Sequence, residues 1–455
     1  MRGAGAPHPL HVDRRDFLRL GGVGGLSLAS LLAARGAGAA GQSGTLGRAK
    51  SCILLFMGGG PPQQHTFDLK PDMPVEIRGE CQPIATNVPG IQITEDLPLL
   101  ARHADKYAIV RSVTDEYTGG AHGQSVYLAL TGHHNPRVKG DDIKPEADDY
   151  PCIGSAVARL RTTDQPVPPH VWLLEMHRRT FAGEGAGFLG KQYDPFRILQ
   201  DPNRPSFQVE ALAPPKDVSL DRLNARSQLL RELDQRSDAF LDRPTTEGFR
   251  GYSELANKLL TSDQAKKAFD LTAESERTRD RYGRHKFGQG TLLARRLVEH
   301  GVPLVTVYWN GEQDVSQGWD LHYEIHKRLK PLISPLDRAF SALLEDLSDR
   351  GLLDETLVVW MGEFGRAPRI EPGGGRGHWG KCYSVLFAGG GIRGGQVHGR
   401  SDRQAAEPAD LPVSPADLVT TIYQALGISA DTELIDVQGR PLRLCQGEVI
   451  RPLFG

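Results

Sequence analysis

The stretch "GTLLARRLVEHGVPLVTVYW", residues 290–309, decides the fold class. Positions 290–301 read as a helix that Gly301 closes. Positions 303–309, "PLVTVYW", follow at once as an almost uninterrupted apolar run. A strand with no polar face must be buried on both sides. A helix that feeds such a strand is the unit of a parallel α/β sheet.

Similar apolar runs lie at 52–57, 107–113, 170–176, 356–362 and 384–389. Helical patterns separate them, so the chain predicts an α/β fold with a mostly parallel central sheet covered on both faces. One helix spans 323–351, where Pro331 and Pro335 predict a break or kink. Another spans 414–427, with Ser414 as N-cap, Pro415 at its first position and Gly427 past its end. Residues 216–285 are charged and helical with little strand character, and read as a helical insertion packed on the core.

The chain has 455 residues, with 39% apolar and 24% charged residues and a formal charge of −2. That balance argues against a dedicated nucleic-acid binder. Arg14 and Arg15 precede a Gly-rich, mildly apolar stretch that ends in small residues near Ala39. Residues 1–39 therefore read as a twin-arginine export signal, followed by a single domain over 48–450. The apolar stretch is too short for an integral membrane span, so the expected location is the periplasm or the cell exterior. The five cysteines have no CxxC or finger spacing, which argues against a structural zinc site.

In parallel sheets, ligand sites form where loops leave the C-terminal ends of strands. After 52–57, "GGGPPQQHTFDLKP" lacks the lysine of a phosphate loop. It presents His65 and Asp68, either as metal ligands or as a surface residue and a turn former. After 303–309, Asp320 precedes His322, and His322 and His326 are four apart on one helix face. That spacing suits a metal, or equally an N-cap beside solvated histidines. After 356–362, "GEFGRAPRIEPGGGRGHWG" combines Glu363, Arg366, Arg376 and His378 in one Gly-rich loop, which favours function. Residues 389–394 match G-x-G-x-x-G, but no apolar helix follows, so they read as a turn. "HGQSVYLALTG", residues 122–132, reads as a helix that opens on His122.

The set "GGGPPQQHTFDLKP", "SVYLALTGHHNP", "WDLH", "VVWMGEFGRAP", "GGGRGHW", "LFAGGGIRGGQVHGRSD" and "PVSPADLVTTIYQALGI" resembles the alkaline phosphatase/sulfatase superfamily. It is most similar to the exported bacterial branch DUF1501. The resemblance implies an alkaline phosphatase-like α/β/α sandwich with a metal site at the strand ends. "HGQSVYLALTG" resembles the sulfatase segment C-x-P-S-R-x-x-L-L-T-G, with Ser125, Thr131 and Gly132 matching and His122 at the nucleophile position. The acidic pair after the first strand is replaced by Gly58 and Gly59.

The resemblance implies one or two divalent ions held by Asp320, His322, Glu363 and His378, completed by His65, Asp68 or His122. Mixed His and carboxylate ligands suit Zn²⁺ or Mn²⁺ better than Mg²⁺ or Ca²⁺. Arg366 or Arg376 would bind the substrate anion, and His122 would be a ligand or an acid/base group. The expected activity is hydrolysis of sulfate or phosphate esters, on polysaccharide or another extracellular substrate, without a Ser, Thr or Cys nucleophile. The alternative is a catalytically inactive envelope protein that binds a glycan or a partner protein.

Overall fold

The computed structural model describes residues 47–455, apart from 136, 138–139, 142–143, 162, 164, 176–180, 313–317 and all but a few of 213–254. The expected signal, 1–39, and much of the expected insertion lie outside the described residues.

The central sheet has eight strands: β1 (Ser51–Met57), β2 (Tyr107–Val113), β3 (His170–Leu173), β4 (Phe196–Ile198), β5 (Leu304–Trp309), β6 (Thr356–Met361), β7 (Tyr383–Ala388) and β8 (Gln396–His398). Their order is β8-β2-β7-β6-β1-β5-β3-β4. Strand β1 lies parallel to β5 and β6, and β3 lies parallel to β4 and β5. Only β7 runs against its neighbours β2 and β6. The mostly parallel sheet is therefore as the apolar runs predict. The short strands β4 and β8 carry no comparable apolar signal.

Every residue of β1, β5, β6 and β7 is buried. Such strands need helices on both faces. Helix α1 (His122–Thr131), α2 (Ile153–Leu160) and α5 (Pro415–Ala425) pack together in one group. Helix α3 (Lys286–Glu299) and α4 (Ile325–Asp349) form another, with α3 against β1 and β5. Ser414 and Asp417 close a capping box at the start of α5, as the Ser-Pro start predicts.

Two helix expectations are corrected. Pro331 and Pro335 lie inside one continuous helix, α4. Its apolar residues Leu329, Leu332, Ile333 and Leu336 are all buried, and that packing outweighs the lost backbone bonds. The helix also starts at Ile325, so His322 lies before it and does not share a face with His326. The described part of the insertion, including helices Asp263–Phe269 and Glu276–Tyr282, packs against α3 and α4. The fully buried Arg295 joins them through Glu274 at 2.8 Å and Asp346 at 2.9 Å. No helix of the described residues is long and apolar enough to cross a membrane. All five cysteines are buried and none forms a disulfide.

Strands β1, β5 and β6 are adjacent and point the same way. The loops that leave Met57, Trp309 and Met361 therefore meet at one edge of the sheet.

Candidate metal centre

Arg366 ties these loops together. It is fully buried, and its guanidinium donates to the carbonyls of Gly59, Gly60, Trp319 and Arg376. Its Nη2 also lies 2.5 Å from Asp320 Oδ1. Only a residue without a side chain fits at position 59. A Cβ there would stand 2.4 Å from the Asp320 nitrogen, and φ is +117°. The Gly59 N–H donates to Glu363 Oε1 at 2.8 Å. The three loops thus fix Asp320 and Glu363 side by side.

Three acceptor atoms converge beside Arg366. Asp320 Oδ1 is 2.9 Å from His378 Nε2 and 2.9 Å from His322 Nε2. The two ring nitrogens are also 2.9 Å apart. His378 Nδ1 lies 2.6 Å from the carbonyl oxygen of Gly120, which can only accept. Nδ1 therefore carries a proton, and Nε2 is the ring atom presented to the cluster. Phe364 stacks on the His378 ring at 4.6 Å and holds its plane.

His122 is the first residue of α1, as its place at the opening of the 122–132 helix pattern predicts. Its Nδ1 is 2.9 Å from Glu363 Oε1 and its Nε2 is 3.5 Å from Asp320 Oδ2. The scaffold residues of the segment have local roles. Ser125 donates to Thr118 Oγ1 at 2.8 Å, and Gly132 ends the helix in the left-handed conformation at φ +76°.

Burial opposes charge at Asp320, yet hydrogen bonds from His122 and His378 and the Arg366 guanidinium hold its carboxyl far below the usual range. Burial also opposes charge on His122. Its hydrogen bonds to Asp320 and Glu363 outweigh that and push its pKa up to about 10. Burial, Arg366 and His378 lower the pKa of His322, which keeps its lone pair available.

The structure brings together His122, Asp320, His322, Glu363 and His378. It places the other candidates elsewhere. Asp68 is buried beside Lys70 Nζ at 2.9 Å and accepts from Ser401. His65 is buried against Cys81, Arg376 and His326. Arg376 is fully buried and donates to His65 and to the carbonyls of Ile77, Ala367 and Pro368. Neither Arg366 nor Arg376 can meet a substrate anion, because both are sealed from solvent and engaged with carbonyls. Arg328 on α4 was missed in the sequence. It lies over the partly exposed Tyr323 ring at 4.2 Å, with Nη1 3.4 Å from the Asp320 carbonyl. Its place on the first turn of α4, soon after Asp320 and His322, is the signal in the sequence that points to it.

Residues 49–454 match the family described as "Protein of unknown function (DUF1501)", and the chain belongs to that family. No curated protein matches the sequence. Among solved structures, the chain is similar to Ps i-CgsB in complex with k-i-k-neocarrahexaose, at 12% identity and a TM-score of 0.41 over 83% of this chain and 72% of that one. It is also similar to the PsFucS1 sulfatase from Pseudoalteromonas sp., at 13% identity and a TM-score of 0.37 over 88% and 70%. The phosphonate monoester hydrolase SpPMH from Silicibacter pomeroyi gives 14% identity and a TM-score of 0.36 over 89% and 76%.

Proposed function

We propose that the protein is a metal-dependent hydrolase of sulfate or phosphate esters. The carrying observation is the triangle of Asp320 Oδ1, His322 Nε2 and His378 Nε2, with 2.9 Å edges. Three lone-pair atoms that close repel one another unless a cation or protons lie among them. The donor set of one carboxylate and two imidazoles fits a divalent ion, and mixed ligands of this kind would suit Mn²⁺ or Zn²⁺. Such an ion supplies Lewis-acid polarisation of the ester and a lowered pKa for attacking water.

The chain's own residues supply the rest. His122, held between Glu363 and Asp320, carries the proton that the leaving oxygen needs. Glu363 orients His122 through Nδ1. Arg366 keeps Asp320 ionised and in place. Arg328 offers positive charge to the sulfate or phosphate group. No hydroxyl or thiol occupies the nucleophile position, so attack by water replaces a covalent intermediate.

We read residues 1–39 as a twin-arginine export signal, supported by Arg14, Arg15 and the small residues near Ala39. The substrate is then an extracellular ester, with sulfated or phosphorylated polysaccharide the class to test first. The purified protein, supplied with Mn²⁺ or Zn²⁺, should hydrolyse members of an aryl sulfate and aryl phosphate panel. Chelation should abolish turnover. Inertness across the panel with either metal contradicts the proposal.

A further inference from the structure

A second cluster lies on the other side of the Arg376 loop. His65 ends the short turn that follows β1, Cys81 lies in the loop after residues 75–78, and His326 is the second residue of α4. Each offers one ligand atom, and these atoms lie within 4.8 Å of one another. His65 Nδ1 is 3.5 Å from Cys81 Sγ. Tetrahedral Zn²⁺, with bonds of about 2.3 Å to sulfur and about 2.0–2.1 Å to nitrogen, holds such atoms about 3.6 Å apart. Asp96 Oδ2 lies 3.6 Å from the same sulfur.

The space is cleared by one residue. Gly79 has φ +74°, and a Cβ there would stand 2.4 Å from the His65 ring and 3.1 Å from the His326 ring. With any other residue the two imidazoles could not lie side by side at 5.0 Å.

We propose that His65, Cys81 and His326 form a structural zinc site separate from the Asp320 centre. Sulfur and imidazole are the ligands that select Zn²⁺ among common divalent ions. Arg376 sets the protons. Its Nε donates to His65 Nε2 at 3.1 Å, so the neutral His65 ring carries its proton on Nδ1, towards the sulfur. Loading releases that proton and the Cys81 thiol proton to solvent. Thiolate and imidazolate then balance the dication.

The site joins the loop after β1, the segment around Cys81 and the start of α4. The last of these follows directly on Asp320 and His322. The ion therefore braces one wall of the candidate catalytic centre without touching it. Local spacing gives no hint of it, because the ligands stand 16 and 245 positions from one another in the chain as His65–Cys81 and Cys81–His326.

Cobalt tests the proposal, since a thiolate bound to Co²⁺ gives an intense near-ultraviolet charge-transfer band and the Asp320 centre contains no sulfur. The full mature protein loaded with Co²⁺ should show the band, and Asp320→Asn should retain it. Cys81→Ser should lose the band and, after zinc loading, about one ion per chain. Absence of the band from the wild-type protein overturns the proposal, and so does its persistence in Cys81→Ser. If Cys81→Ser fails to fold, the wild-type and Asp320→Asn spectra decide. Because turnover is not the readout, failure here leaves the hydrolase reading intact, and failure of that reading leaves this site intact.

Discussion

His378 Nε2 faces Asp320 Oδ1 at 2.9 Å while its Nδ1 is already committed to the Gly120 carbonyl. That pairing aims Nε2 at the Asp320 carboxylate, where a bound metal would meet it. Protons compete with a metal for such nitrogens. Mn²⁺ affinity should therefore fall when the pH is lowered from 8 to 6, as read by calorimetric titration. His378→Ala should abolish binding at the affinity the wild-type protein shows.

Arg366 is predicted to be a structural requirement of the site. Replacing it by Met leaves the half-buried Asp320 without its cation and strips four carbonyls of a donor. Breaking a buried pair of this kind costs about 3–5 kcal/mol. Arg366→Lys should recover little, because one ammonium cannot span the fork. Thermal unfolding of both variants measures this, and a Tm unchanged in Arg366→Met contradicts it.

His122→Ala should lower turnover by about 10²–10⁴-fold while the protein keeps its Mn²⁺. Loss of the ion in this variant would make His122 a ligand instead. With its pKa at about 10, the active form of His122 is the protonated one. Activity that depends on it should therefore fall as pH rises through about 10, and that limb should be missing in His122→Gln.

Arg328→Ala should raise KM for aryl sulfates and leave thermal stability nearly unchanged, since the side chain packs on the exposed face of Tyr323. An unaltered KM would remove Arg328 from substrate binding.

Glu184 gives a stability test away from the metal. Burial raises its pKa from 4.5 to about 7, against the pull of Arg197. The folded state then holds a proton that the unfolded chain has released. This contribution is fully present below about pH 4.5 and is lost as pH rises through about 7. Glu184→Gln should flatten that part of the stability–pH curve in denaturant titrations.

The sequence makes the sheet legible because strands covered on both faces need long apolar runs, as in 304–309 and 356–361. Strands of three residues, such as 196–198, carry too few positions for a pattern. Asp320, Glu363 and His378 are legible as a set because the segments that carry them lie after the central strands 304–309 and 356–361. Arg366 and Arg376 mislead for a physical reason. A lone arginine in a Gly-rich loop looks like an anion binder, but bare loop carbonyls need donors, and guanidinium supplies five. His65 and His326 mislead because each seems to belong to the nearest loop motif, whereas tertiary packing pairs them with Cys81.

The most direct measurement is anomalous diffraction from crystals of the protein soaked in Mn²⁺. The account predicts a peak within about 2.3 Å of Asp320 Oδ1, His322 Nε2 and His378 Nε2. A map with no peak there, from crystals in which His378 still donates to Gly120, would contradict it.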